Sequence, residues 1–233
     1  MISGERFSYH GECDLVYMSC PSFYSNFGLD IHIRTKIVEQ YSFIQGIALK
    51  YGETHFEMDA SDTFHVSGKT YEKTPPEEFA GYPIAKVDYD GWCGDKCANA
   101  RIWVINFGNG TWIEFANWAG FLHIKLSGNF DGCTGMMGRV EEVGKFARNG
   151  TVLENSNDFG AEWRVRASDP ALFYNANYDQ CSLPKNTFRR ADAAVRQMAR
   201  AGCQHLSGTD RDMCIFDVEQ TGNPLMAYSP FYI

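Results

Sequence analysis

Residues 29–37 read Leu-Asp-Ile-His-Ile-Arg-Thr-Lys-Ile, the clearest alternation of apolar and polar side chains in the chain. A period of two places neighbouring residues on opposite faces of a strand, so Leu29, Ile31 and Ile33 share one face. One apolar face and one polar face are typical of an antiparallel sheet that packs on a core and meets water on its other side. We therefore expect a half-buried strand here, with His32 on the polar face.

Other segments extend this pattern along the first two thirds of the chain. They are short, rich in branched or aromatic residues and separated by turn residues, and we predict strands over 13–19, 42–51, 54–58, 63–66, 101–106, 111–116 and 121–126. Gly108-Asn109-Gly110 between two of them indicates a hairpin. Many short strands predict an antiparallel β-sandwich over 1–168. Within it, the Pro- and Gly-rich residues 74–97 are predicted to form a long irregular loop.

The hydrophobic period changes after Asp169. Asn186 is a suitable cap for a helix that reaches Gly202, because apolar residues recur there at steps of three and four. A second helix is predicted from Thr209 to a stop at Gly222. The predicted fold is therefore mostly β, with a small C-terminal α-helical, disulfide-tied subdomain over 169–233.

Cysteine usage indicates the compartment. The chain has eight cysteines, namely Cys13, Cys20, Cys93, Cys97, Cys133, Cys181, Cys203 and Cys214. Only Cys93 and Cys97 have metal-like spacing, and a structural zinc site would need a second Cys or His pair. We therefore predict disulfides and an oxidising compartment, and the sequence leaves their connectivity open.

Charge and hydropathy exclude several classes of function. The 233 residues carry 21 basic and 29 acidic side chains, a net charge of −8, which disfavours binding to a nucleic-acid backbone. No apolar stretch is long enough to span a membrane, and the N-terminus lacks the apolar core of a signal peptide. With the cysteines, this favours a chain processed from a longer secreted precursor.

No Gly-x-Ser-x-Gly motif or other nucleophile motif occurs, so we predict that the protein is not an enzyme.

Two kinds of surface feature are candidates for binding or modification. Asn109 and Asn149 each begin an Asn-Gly-Thr sequon, the acceptor pattern for N-linked glycans. Trp112 and Trp118 lie near the predicted hairpin, where aromatic rings either pack in the sheet or offer a platform for a sugar.

Several segments together resemble the von Willebrand factor type D domain. The sequence Gly-Glu-Cys-Asp-Leu-Val at 11–16, followed by Cys20, is similar to the family's opening strand, and 29–35 is similar to its next strand. The strands around Trp112 and over 121–126 resemble the pair that precedes the family's glycine-cysteine motif. Phe159-Gly-Ala-Glu-Trp163-Arg-Val165 resembles its closing signature, and 203–218 the helical cysteine-containing region that follows. The resemblance covers nearly the whole chain.

The resemblance also implies a calcium site, and two alignments place it differently. The family's Cys-Gly-Leu-Cys-Gly-Asn motif aligns with 134–139, where Met137 replaces a cysteine and Arg139 replaces the asparagine. Arg cannot bind calcium. A second alignment uses 128–132 and makes Asn129 and Asp131 the calcium ligands.

The resemblance and the cysteines together imply a function. We expect a non-enzymatic extracellular module for structural assembly or adhesion, within a larger secreted or cell-surface protein. Its partners would be other protein chains or copies of itself. The alternative is an extracellular module that binds glycans or matrix components through exposed aromatics, using Trp112 and Trp118.

Overall fold

The fold is dominated by antiparallel strands. A computed structural model describes residues 9–38, 41–87, 101–137, 144–184 and 191–228, except for the side chains of Ser25 and Thr209. The strands within these ranges are β1 (Asp14–Cys20), β2 (Leu29–Val38), β3 (Tyr41–Tyr51), β4 (Thr54–Asp59), β5 (Thr63–Val66), β6 (Lys69–Glu72), β7 (Glu78–Phe79), β8 (Tyr82–Val87), β9 (Arg101–Gly108), β10 (Thr111–Trp118) and β11 (Phe121–Ser127).

Strand β3 lies at a fork in the sheet. One of its edges pairs with β2, and β2 in turn pairs with β1. The other edge is shared, because β4 pairs with the end of β3 while β11 contacts its beginning at Ile44. One arm continues through β5 and β6, and the other through β10, β9, β8 and β7.

The two arms face each other across one core. The ring of Phe56 in β4 lies 4.9 Å from that of Phe115 in β10, and Phe64 in β5 meets Trp103 in β9 at 6.3 Å between ring centroids. Both Phe56 and Phe115 are fully buried. Burial of each such ring contributes about 2–3 kcal/mol to stability. The sheet therefore curls into a sandwich, and the predicted fold class is confirmed.

Strand β2 shows what alternation alone predicts. Leu29, Ile31 and Ile33 are buried in the main core, as expected from the period of two. The opposite face is not wet, however, since His32 is only 1% exposed. The prediction of a surface role for His32 was wrong because a later segment of the chain covers this face.

The predicted irregular loop over 74–97 is partly wrong. Residues 78–87 form a short antiparallel hairpin, β7 and β8, and β8 pairs with β9 from Ile84 onward. Pro83 argued for a loop, but a proline is tolerated near the start of a strand, where fewer ladder bonds are lost. Residues 88–97, with Cys93 and Cys97, lie outside the described residues.

Helices lie at the C-terminal end and in two connections. They are α1 (Phe23–Asn26), α2 (Ser156–Glu162), α3 (Ala193–Gly202) and α4 (Gly208–Thr221), followed by a 3-10 turn over Pro224–Tyr228. Helix α3 is capped by Asp192, whose carboxylate accepts a hydrogen bond from the backbone N–H of Val195 at 2.8 Å. The cap predicted at Asn186 lies outside the described residues.

The second predicted helix matches α4 closely, and its C-cap is Gly222. None of the helices in the described part of the chain combines the length and apolarity needed to cross a bilayer.

Candidate functional site

Strand β1 is the point at which distant parts of the chain are joined covalently. Cys13 bonds to Cys181, 168 residues later, and Cys20 bonds to Cys133, 113 residues later. A third disulfide, Cys203–Cys214, joins α3 to α4. These are the six predicted cysteines that the structure describes, and all six are paired.

The free edge of β1 is completed by two later segments. The backbone N–H of Ser19 donates to the carbonyl of Thr134 at 2.7 Å, and that of Val16 donates to the carbonyl of Trp163 at 2.7 Å. Because both segments satisfy β1 backbone groups, the edge is covered and not open to another strand.

Gly135 allows the first of these segments to approach so closely. Its φ is +136°, and a Cβ at this position would lie 2.5 Å from the carbonyl oxygen of Tyr17 and 2.8 Å from the Cα of Met18. Only glycine fits such a contact with neighbouring backbone.

Helix α2 positions the second segment. Its N-cap, Asn155, accepts hydrogen bonds from the backbone N–H groups of Asn157 and Asp158, which fixes the start of the helix. The helix carries Phe159 into the core, and Trp163 follows it, with its indole N–H donating to the carbonyl of Phe146 at 2.9 Å. The helix was not predicted from the sequence, although Asn155 is a recognisable cap.

Two ion pairs lie on the face of β1 and β2 that points away from the main core. Arg34 makes two bonds to the buried carboxylate of Asp14, from Nε at 2.6 Å and from Nη2 at 2.7 Å. Arg148 makes two bonds to Asp169, at 2.8 and 2.9 Å. The hydrogen bond to Asp14 raises the pKa of Arg34 above its ordinary value. Arg34 also donates from Nη2 to the carbonyl of Asn175 at 2.6 Å, which joins its bidentate pair to the later segment that covers this face.

His32 lies among these charges. Its pKa is lowered from 6.5 to about 4, mainly by burial; the charges of Asp169 and Asp14 oppose this shift, and that of Arg148 adds to it. Its Nδ1 is buried and has no hydrogen-bond partner among the described residues. At neutral pH the ring is therefore uncharged and packs as part of the structure.

Trp118 does not form a surface for a ligand. Its side chain is 2% exposed, packs with Val218 and Met226, and donates from Nε1 to the carbonyl of Leu225 at 3.0 Å. Of the two roles considered for its ring, Trp118 has the packing role, because the C-terminal helices cover it and leave no exposed platform there. Trp112 is half-buried and six residues away on β10, about 20 Å along the strand, so the two rings do not form one platform.

A cleft of about 500 Å³, with polar and apolar lining in similar proportions, opens beside the β9–β10 hairpin. It is lined by Ser22, Phe23, Tyr24, Asn109, Thr111, Asn129 and Asp131. Tyr24 closes one side, because its hydroxyl donates to the carbonyl of Gly108 at 2.9 Å. Beneath it the ring of Phe23 packs on Phe107, with centroids 5.3 Å apart. Aromatic rings thus form one part of the lining and polar side chains the other.

The hairpin that forms the opposite wall was predicted correctly. Gly108, Asn109 and Gly110 all have positive φ, of 86°, 52° and 75°, which is the backbone that a tight hairpin turn requires. Asn109 is exposed at the tip and lines the cleft. The other sequon residue, Asn149, is exposed in a separate turn, where its side-chain oxygen accepts a hydrogen bond from the backbone N–H of Thr151 at 3.0 Å.

The cleft contains both predicted calcium ligands, Asn129 and Asp131, but its donors do not fit calcium. Calcium prefers six to eight oxygen ligands, several of them carboxylates. Asp131 is the only carboxylate in the lining, and the side-chain oxygen of Asn129 already accepts a hydrogen bond from the backbone N–H of Asp131 at 2.9 Å. No group of three or more His, Cys, Asp or Glu suited to a metal occurs within the described residues.

Sequence reasoning identified three of the cleft residues, Asn109 as a glycosylation acceptor and Asn129 and Asp131 as calcium ligands. It missed Tyr24 and Ser22, which lie in a short turn without a recognisable motif. No sequence pattern indicates that this turn contacts the hairpin, because the contact exists only once the sheet has formed. The chain matches no protein-family profile and no curated protein.

Proposed function

We propose that this chain is a non-enzymatic structural module of a larger secreted or cell-surface protein, and that it serves assembly or adhesion outside the cell. The observation that carries this proposal is the pair of long-range disulfides on β1, Cys13–Cys181 and Cys20–Cys133. Disulfides of this kind persist in oxidising compartments and are rare in the cytosol.

The arrangement around β1 supports a relationship to the von Willebrand factor type D domain. Three of the segments that carry the resemblance lie side by side, since β1 contacts Thr134 on one part of its edge and Trp163 and Val165 on another. Segments that are far apart in sequence therefore meet at one place in the fold. The family assignment is part of the proposal.

The proposed mechanism is the presentation of a rigid surface. The two disulfides, the covered β1 edge and the ion pairs on the opposite face of β1 and β2 all restrain the same region. A module restrained in this way keeps its loops in place without chaperones. Partners would then recognise loops and exposed faces by shape, and the net charge of −8 favours partners with basic surfaces.

Native material tests the proposal directly. We would alkylate free thiols at once, map the peptides without reduction, and size the material by sedimentation velocity. The expected result is Cys13–Cys181 and Cys20–Cys133 bridges in material that sediments faster than a single chain. Free thiols at these four cysteines would refute the extracellular location, and a single unassociated chain would refute the assembly role.

A second candidate function is sugar binding, and the cleft beside the β9–β10 hairpin is the observation that favours it. Its lining combines the aromatic ring of Tyr24 with the amide of Asn129 and the carboxylate of Asp131. Such a combination suits a neutral ligand rich in hydroxyl groups. Binding to a glycan array should be lost in Tyr24→Ala and kept in Trp112→Ala, a matched aromatic change outside the cleft. Equal loss in both variants, or no binding, would contradict this second function.

A further inference from the structure

We propose that the cleft beside the β9–β10 hairpin holds the first sugars of an N-linked glycan that the chain itself carries on Asn109. The inference rests on the extracellular location proposed above, because N-linked glycans are added in the secretory pathway. It identifies the sugar in the cleft as covalently attached, and it distinguishes Asn109 from Asn149 although their sequons are identical.

The chemistry requires a donor that the secretory pathway supplies, an oligosaccharide linked to a lipid pyrophosphate. The amide nitrogen Nδ2 of Asn109 attacks C1 of the first sugar. A C1–N bond forms, the C1–O bond to the pyrophosphate breaks, and the lipid pyrophosphate leaves with the electron pair while Nδ2 loses one proton. The sequon Asn109-Gly110-Thr111 is the acceptor pattern for this transfer.

The position of Asn109 places the attached sugar at the mouth of the cleft. Asn109 is exposed at the hairpin tip, where all three turn residues have positive φ. Since Asn109 also lines the cleft, a sugar on its side chain starts at the cleft wall. Covalent attachment gives this sugar a high effective concentration at the cleft, well above that of a free sugar.

The lining suits an N-acetylhexosamine. Such a sugar has an apolar face, which can pack on the half-buried ring of Tyr24, and hydroxyl groups that need polar partners. The carboxylate of Asp131 and the side-chain nitrogen of Asn129 make no hydrogen bond to any described residue, so both remain able to bind hydroxyl groups. A volume of about 500 Å³ lies within the usual range for ligand sites.

Asn149 provides an internal control. It is exposed in a tight turn in which the backbone N–H of Gly150 donates to the carbonyl of Ala147 at 2.9 Å, and it does not line the cleft. A glycan on Asn149 should extend into solvent. The two sites should therefore differ in how easily an enzyme reaches the first sugar.

The experiment compares release of the two glycans from the same molecule. The full chain is secreted from glycosylating cells, and peptide-N-glycosidase is applied to native and to denatured protein, with release at each site measured by mass spectrometry. We expect both sites to be occupied, with native release at Asn109 about tenfold slower or more, which corresponds to about 1.4 kcal/mol of protection. In denatured protein the two rates should agree.

Variants of the cleft sharpen the test. Tyr24→Ala should bring native release at Asn109 close to the rate at Asn149, and Asp131→Ala, at an exposed position with less risk to folding, should have a smaller effect in the same direction. Equal native rates at the two sites in the wild-type protein would overturn the proposal. So would an unmodified Asn109 in secreted, disulfide-bonded protein, whether or not Asn149 carries a glycan.

Two further outcomes distinguish failure of this proposal from failure of the extracellular location or from binding of a free sugar. Free thiols in unsecreted protein would refute the extracellular location, whereas correct disulfides with rapid release at Asn109 would refute only the glycan in the cleft. Binding of free glycans by Asn109→Gln, together with rapid release at Asn109 in the wild type, would assign the cleft to a free sugar and overturn the proposal.

Discussion

Gly135→Ala tests the contact between the glycine-cysteine segment and β1. A Cβ at this position would meet the carbonyl oxygen of Tyr17 at 2.5 Å and the Cα of Met18 at 2.8 Å, and both are backbone atoms that cannot rotate away. The φ of +136° adds strain for any residue with a Cβ, of about 1–3 kcal/mol.

The expected loss of stability follows from these contacts. Backbone hydrogen bonds join Thr134, Met136 and Met137 to β1, in addition to the bond from Ser19 to Thr134. If the clash breaks two of them, at about 1 kcal/mol each, the total loss is about 3–5 kcal/mol. The matched control is Gly132→Ala, because Gly132 has a φ of +73° but open space around its Cβ position. The control should lose only the cost of the left-handed backbone, about 1–2 kcal/mol.

Urea unfolding followed by tryptophan fluorescence measures both variants, with disulfides confirmed by mass before the experiment. Gly135→Ala should unfold at a clearly lower urea concentration than Gly132→Ala, with a difference of about 1–4 kcal/mol in free energy of unfolding. Equal losses would show that backbone conformation alone accounts for both glycines. That result would refute the close approach of this segment to β1.

Three further changes probe other parts of the structure. Since burial lowers the pKa of His32 from 6.5 to about 4, its contribution to stability is complete above pH 6.5 and is lost as pH falls toward 4. His32→Gln should therefore reduce the wild-type loss between pH 7.5 and 4.5 by about 2–3 kcal/mol, and an unchanged loss in urea titrations would contradict this. Trp118→Ala should lower the free energy of unfolding by about 3–5 kcal/mol because the ring is fully buried. Thermal unfolding should show a smaller loss for Trp112→Ala, and the reverse order would argue against the burial of Trp118. The pair Cys13→Ala with Cys181→Ala should lower unfolding free energy by about 4–5 kcal/mol, as expected for a separation of 168 residues, and a loss below about 1 kcal/mol in denaturant titration would refute that estimate.

Much of the strand content was predictable because each strand needs only a local pattern. The alternation in 29–37 corresponds to β2, and the prediction for Thr63–Val66 agrees at both ends with β5. The hairpin at Asn109 follows from its flanking glycines, since they permit positive φ. Strands β7 and β8 were missed because the Pro- and Gly-rich composition indicated a loop, whereas pairing with β9 outweighs that preference.

The candidate site was much less predictable because its parts are distant in sequence. Tyr24 lies 84 residues before Gly108, to which its hydroxyl bonds, and no pattern in either segment indicates the other. Trp112 and Trp118 occupy the same face of β10, yet only Trp118 is covered by the C-terminal helices. His32 is similar, since its register predicts a polar face but not that Asp169 and Arg148 lie over it.

The amino-acid sequence by itself determined most of the strands, the hairpin turn, the helix around 208–221, the sequons and the presence of enough cysteines for several disulfides. These depend on side-chain period, backbone preference and composition, which are properties of neighbouring residues. Only the tertiary structure decided which cysteines pair, which face of β2 is covered, whether a tryptophan is exposed and which residues line the cleft. Those features depend on contacts between segments up to 168 residues apart, and such contacts exist only once the sheet has formed and closed on its core.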